Sequence, residues 1–206
     1  DNKLEVGASI LDINLSNFTL RQNIEGFEFY SGIPGSIGGA VKMNAGCYGS
    51  ETVDVINSIE ICDNFGQRKT ITKDKLNLKY RSSNINKTDI VTKAIFNFNY
   101  GDHNSIKEKI NEIKNKRLES QPIKHKTSGS TFKNPKNYHA AKLIEEAGCK
   151  GTNYGDAYVS DKHANFLINR GSASATDIEN LGKSIVEKVY AKFNVKLEWE
   201  VKIIGE

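Results

Sequence analysis

Apolar and polar residues alternate along Val53–Cys62 and again along Ile90–Tyr100, the period of strands with one buried face. Between them, Asp63-Asn64-Phe65-Gly66 reads as a hairpin turn, because Asn and Gly tolerate positive φ. Thr72–Leu78 predicts a short helix, with Thr72 and Asp74 as caps. After Tyr100 the period lengthens. Asn104–Ser120 sets Ile106, Ile110, Ile113 and Leu118 near one helical stripe among charged residues. A loop from Gln121 to Pro135 leads to an amphipathic helix, Ala140–Ala147, closed by Gly148. Gly151–Lys162 is rich in turn formers, His163–Asn169 predicts a strand, and Ser174–Phe193 predicts a long helix with Ser174, Thr176 and Asp177 as caps. Alternation returns in Lys196–Ile204. That pattern predicts a strand needing a sheet elsewhere to pair with, its Glu198 and Glu200 on one face and its Trp199 and Val201 on the other. The class is α+β in two lobes.

Composition narrows the function without naming it. With 206 residues, 37% hydrophobic and 26% charged, the chain is an ordinary globular protein able to form one large domain or two small ones. Its start, Asp1–Glu5, is charged, lacks the apolar core of a signal peptide and begins within strand-like sequence, so an upstream part is expected to be missing. No apolar run reaches the roughly 18 residues of a membrane span, and no membrane partner is expected. The net charge of +4 is mild, and the lysine-dense Lys107–Lys126 also carries acids, so nucleic acid is not an expected partner. Cys47, Cys62 and Cys149 are odd in number and widely spaced, fitting a reducing cytoplasm rather than a disulfide framework. No His/Cys/Asp/Glu cluster predicts a metal.

Two small-residue loops carry the candidate chemistry. In Ser31-Gly32-Ile33-Pro34-Gly35-Ser36-Ile37-Gly38-Gly39-Ala40, continuing through Asn44 to Gly49, the glycines suit either a diphosphate cradle or a sharp crossover between packed elements. The Walker spacing is absent. In Thr127-Ser128-Gly129-Ser130-Thr131-Phe132-Lys133-Asn134-Pro135, Ser130 is either an ordinary loop serine or a proton donor eased by nearby cations. Arg81, in Tyr80-Arg81-Ser82-Ser83, is an exposed loop arginine or a bidentate carboxylate clamp. His163 is a structural histidine or a ligand.

The order of the segments is more specific than any one of them. SGIPGSIGGAVKMNAGCYG, YRSS, SGSTFKNP, AAKLIEEAG, VSDKHANFLIN and LEWEVKIIGE, taken together, resemble the UDP-N-acetylenolpyruvoylglucosamine reductase family in its shorter, type II branch. The resemblance implies a vanillyl-alcohol-oxidase (PCMH) type FAD-binding lobe, here partial, followed by an α+β substrate-binding lobe. Residues 1–101 would be the later part of the FAD-binding region and 102–193 the substrate lobe, with 194–206 returning to the first FAD lobe. It implies FAD as cofactor, NADPH as reductant and a UDP-sugar substrate, in a cytoplasmic monomer serving peptidoglycan synthesis and thereby cell shape and division. Arg81, Ser130 and Glu200 match the family's active-site residues. Gly32, Ile33, Pro34, Gly35, Ser36, Gly38, Gly39 and Asn44 fall in its cofactor-binding run; Tyr48, Tyr80, Lys133, Asn134 and His163 align with substrate contacts. Trp199 departs from the pattern, standing where proline is usual, and Asn84-Ile85-Asn86 replaces an aromatic-containing run. The competing readings are another flavin-fold oxidoreductase, which would lack the Arg81/Ser130/Glu200 set, and a nucleotide-sugar binding module without activity.

Overall fold

A computed structural model describes residues 2–205. The chain divides into two compact units, Asp1–Lys116 and Arg117–Glu206. The division falls inside a helix, His103–Ser120.

In the first unit, β1 (Lys3–Gly7) is followed by α1 (Asp12–Arg21), β2 (Ile24–Glu25), α2 (Ile37–Met43), the short pair β3 (Gly46–Cys47) and β4 (Ser50–Glu51), and the four-residue α3 (Thr52–Val55). The unit continues through β5 (Ile56–Cys62), β6 (Arg68–Thr72), β7 (Ile90–Asn97) and β8 (Asn99–Tyr100). Its main sheet is antiparallel in the order β1-β7-β5-β6, with Ile59 opposite Ala94 and Leu4 opposite Phe96. The expected hairpin joins β5 to β6, and the Asp63 carboxylate accepts from the amides of Phe65 and Gln67 to hold its turn. Phe27, Tyr30, Ile37, Ile59 and Phe96 are all within 1% of full burial in the core beneath this sheet. The helix expected at Thr72–Leu78 is one 3₁₀ turn, Lys73–Lys75.

The long helix α4 (His103–Ser120) buries Ile106, Ile110 and Ile113 as its stripe requires, while Leu118 is exposed. The second unit adds β9 (Lys126–Ser130), α5 (Ala140–Glu146), β10 (Asn153–Tyr154), β11 (Ala157–Val159), β12 (Phe166–Asn169) and α6 (Ala175–Phe193). Ser174 caps α6 in a reciprocal box with Asp177, as its sequence predicts. The sheet is antiparallel, β10-β11-β12-β9. Ala157, Val159 and Leu167 share its core with Leu143 and Ile144 of α5 and with Leu181, Ile185 and Val189 of α6. By alternation, Tyr158, Phe166 and Ile168 take the opposite face, and Ser130 lies directly across from Phe166 on that face.

The strand expected at Lys196–Ile204 does not form. Among the described residues this segment joins no sheet, neither the four strands of the first unit nor those of the second. It makes one bridge, Trp199 to Phe132, and Leu197 enters the second core. The alternation reflects two apolar side chains packed in or against the second core, not a ladder. Trp199 packs 4.9 Å from the Phe132 ring, and a Cβ on Gly182 of α6 would fall within its indole.

Candidate active site

Arg81 occupies a turn in which the Ser82 amide donates to the Lys79 carbonyl at 3.0 Å. Its φ is +53°, a left-handed conformation uncommon outside glycine and asparagine, so surrounding bonds must hold it there. The guanidinium lies over the Tyr80 ring at 4.9 Å and reaches the Gly46 carbonyl at 3.5 Å. Tyr48 also has a left-handed backbone, φ +53°, followed by Gly49 at +89°, at the tip of the β3–β4 hairpin. Positive φ at both central residues is the two-residue turn that matches strand twist. Thus two candidate site residues sit on strained turns of the same unit.

In the second unit, Gly129 at φ +89° turns the chain so that Ser130 ends β9, half-buried. The next residues are fixed tightly. Asn165 is 4% exposed; its Oδ1 accepts from Phe132 N at 2.9 Å and its Nδ2 donates to Phe132 O at 2.8 Å, while Thr131 N donates to the Asn165 carbonyl at 2.8 Å. Glu200 is tied to the same place, its amide donating to the Thr131 carbonyl at 2.9 Å. Ser130 and Glu200, 70 positions apart in sequence, are therefore joined through one intervening residue. Lys133 N donates to Glu198 O at 2.9 Å, and its Nζ lies 3.5 Å from the Glu198 carboxylate. The Asn134 side-chain oxygen accepts from Ala140 N at 2.9 Å, fixing the start of α5. His163 stands edge-on to Phe166 at 4.7 Å and accepts from Asn165 N through Nδ1 at 3.3 Å. Burial holds its imidazole below the ordinary value, so the neutral ring is favoured.

Residues 121–204 match the UDP-N-acetylenolpyruvoylglucosamine reductase C-terminal domain, and residues 1–72 match an FAD binding domain. The UDP-N-acetylenolpyruvoylglucosamine reductase of Rickettsia conorii is 49% identical over 205 residues, covering 100% of this chain and 70% of the relative. That of Rickettsia bellii is 44% identical over 206 residues, covering 68% of the relative. The chain belongs to this reductase family. A crystal structure of the reductase from Thermus caldophilus superposes with a TM-score of 0.86 at 35% identity, over 97% of this chain and 73% of that one.

The family's cofactor can be tested against the glycine-rich run. Gly32, Gly35 and Gly38 lack room for a Cβ because Cys47 Sγ, Asp12 Oδ2 and Ala8 Cβ stand 2.7, 2.9 and 3.0 Å from where it would sit. The amides of Ile37 and Gly38 donate to the carbonyls of Ile10 and Ala8, both at 2.9 Å. These positions serve close packing. Pro34, Gly35 and Gly39 are exposed, Ile33 and Ser36 half-buried, and Gly39 meets nothing closer than Ser36 Oγ at 3.8 Å. This open, small-residue ledge fits a flat cofactor approaching the backbone. Asn44 does not join it through its side chain, which is fully buried with both its nitrogen and its oxygen bonded inside the protein. Any approach of a cofactor to Asn44 would be to its backbone.

Sequence reasoning passed over Asn165, although HANF was among the matched segments, because the partners of its side chain lie 33 positions away. It also gave no sign of a cleft of about 280 Å³ in the second unit, between Pro122–His125 and Tyr158, Ile168 and Arg170. Arg170 lies over the Tyr158 ring there. Among the described residues no helix is long and apolar enough to cross a membrane, and no three His/Cys/Asp/Glu side chains are grouped to hold a metal.

Proposed function

We propose that the chain reduces UDP-N-acetylglucosamine enolpyruvate to UDP-N-acetylmuramate with FAD and NADPH, in the cytoplasm, as a step toward peptidoglycan and so toward cell shape and division. The observation that carries this is the backbone tie between Ser130–Thr131 and Glu200 in a chain of this reductase family. The first unit, which contains the residues matching an FAD binding domain, would bind the cofactor; the second would bind the UDP-sugar.

Bound FAD supplies hydride transfer from NADPH to the vinyl carbon of the substrate. Charge then develops beside the substrate carboxylate, and Arg81 meets it with a charge-assisted, fork-shaped pair of donors. The Ser130 hydroxyl gives its proton to the α-carbon. Glu200 orients the enol ether beside Ser130, and the fixed Thr131–Phe132 backbone keeps both in register. Lys133, Asn134, Tyr48, Tyr80 and neutral His163 bind the sugar nucleotide, and Pro34, Gly35, Ser36 and Gly39 line the cofactor ledge.

Ser130→Ala tests the assignment. NADPH should still bleach the flavin at the normal rate, while turnover of the enolpyruvyl substrate falls by roughly a hundredfold or more, as expected for loss of a positioned acid. Near-normal turnover would remove Ser130 from this role. A protein that neither retains nor rebinds flavin would end the reductase reading.

A further inference from the structure

The loop that carries Arg81 is gripped by the C-terminal end of α2. Lys42 Nζ donates to the carbonyls of Ile85 at 2.6 Å and Asn86 at 2.7 Å, and the Lys42 carbonyl accepts from Ser83 Oγ at 2.7 Å. Two residues further on, Asn44 ends the helix in the left-handed region, φ +43° and ψ +53°. Asn44 Nδ2 donates to Glu51 Oε2 at 2.8 Å and to the Lys79 carbonyl at 3.3 Å, and Oδ1 accepts from Val53 N at 2.9 Å. One buried amide thus links α2, β4, the start of α3 and the first residue of the Arg81 turn.

That link has mechanical content. The Lys79 carbonyl also accepts the closing bond of the turn from Ser82 N. Positive φ at the third residue of such a turn normally belongs to glycine or asparagine. Arginine there has an easy escape to negative φ unless the turn is pinned at its base. The β3–β4 hairpin, by contrast, has its own ladder, and Thr52 donates to the Ala45 carbonyl through both N and Oγ1 at 2.9 Å, so the hairpin bearing Tyr48 keeps these ties when the Asn44 donors are removed.

We propose that Asn44 is a positioning residue, whose Nδ2 donors, oriented by Glu51, pin the Lys79 carbonyl and so set the strained turn from which Arg81 meets the substrate carboxylate. This rests on the reading of Arg81 as the carboxylate-binding residue. A helix-ending asparagine that served only its own backbone would be replaceable by glycine, which adopts the same left-handed conformation at no steric cost.

The experiment compares two ligands by calorimetry on the FAD-loaded, oxidised protein: UDP-N-acetylmuramate, which bears the carboxylate, and UDP-N-acetylglucosamine, which lacks it. Asn44→Gly should bind the first about tenfold more weakly, on the scale of one charge-assisted contact, and the second within about twofold of the parent. Arg81→Ala should show the same selective loss. Asn44→Asp keeps left-handed tolerance and the acceptor for Val53 but removes both donors, and carries the same expectation should the glycine variant fail to fold. Retained preference in the Asn44 variants alongside its loss in Arg81→Ala would overturn the positioning role. So would equal weakening of both ligands. Retained preference in Arg81→Ala would instead overturn the carboxylate reading, and the role of Asn44 with it.

Discussion

Asp12 is 1% exposed, and neither of its carboxyl oxygens meets a hydrogen-bond partner among the described residues. It opens α1, and Gly35 lies so close that a Cβ there would stand 2.9 Å from Oδ2. Burial raises its pKa from 3.8 to about 7, because the charged form loses its water and gains no partner. The folded chain therefore keeps the Asp12 proton to higher pH than the unfolded chain does. Its contribution is intact below about pH 4 and is withdrawn progressively as pH rises to about 7, by at most about 4 kcal/mol. Asp12→Asn, which cannot ionise, should flatten this part of the profile. Urea unfolding at pH 5 and pH 7.5 measures it, and an unchanged difference between the two pH values would refute the assignment to Asp12.

At the scale of elements, Gly182 shows how a distant side chain can set a helix residue. It lies within the 19-residue α6, where alanine would ordinarily gain about 1 kcal/mol in helix propensity. Its missing Cβ is the space occupied by the Trp199 indole. Gly182→Ala should therefore destabilise by roughly 1–3 kcal/mol and shift the tryptophan emission as the ring is expelled; equal or greater stability would contradict the packing. The same core explains one misreading of the sequence, since Leu197 and Trp199 alternate to pack in or against it rather than to form a strand. Helices α4 and α6 were legible because their apolar stripes run for several turns. Helix α1 was not, because Asp12, Ser16 and Thr19 accompany Leu15 on its buried side and erase the stripe. Strand β6 escaped notice because Arg68–Thr72 is mostly exposed at a sheet edge. Of the proposed site, Arg81, Ser130 and Glu200 were named by the order of motifs, whereas Asn44 and Asn165 make bonds to backbone far along the chain, which leave no local pattern.

At the scale of the whole molecule there are two cores, one in each unit, with Phe27, Tyr30 and Phe96 in the first and Phe132, Leu181 and Trp199 in or against the second. Trp199 is the single tryptophan, so its fluorescence follows the second core, while circular dichroism follows both. Ile59→Ala, at a fully buried position of the first core, should cost about 2–5 kcal/mol there. Denaturation should then show the dichroism transition moving to lower urea ahead of the Trp199 transition; coincident movement of the two signals would mean a single cooperative unit. Trp199 and Gly182 also constrain descent. A lineage leaving this pairing for a smaller residue at 199 must shed the indole first, passing through a cavity, and only afterwards gain a side chain at 182. The reverse order passes through a clash, so the effects of the two changes do not add. The contact works as a ratchet on the order in which these two positions can drift.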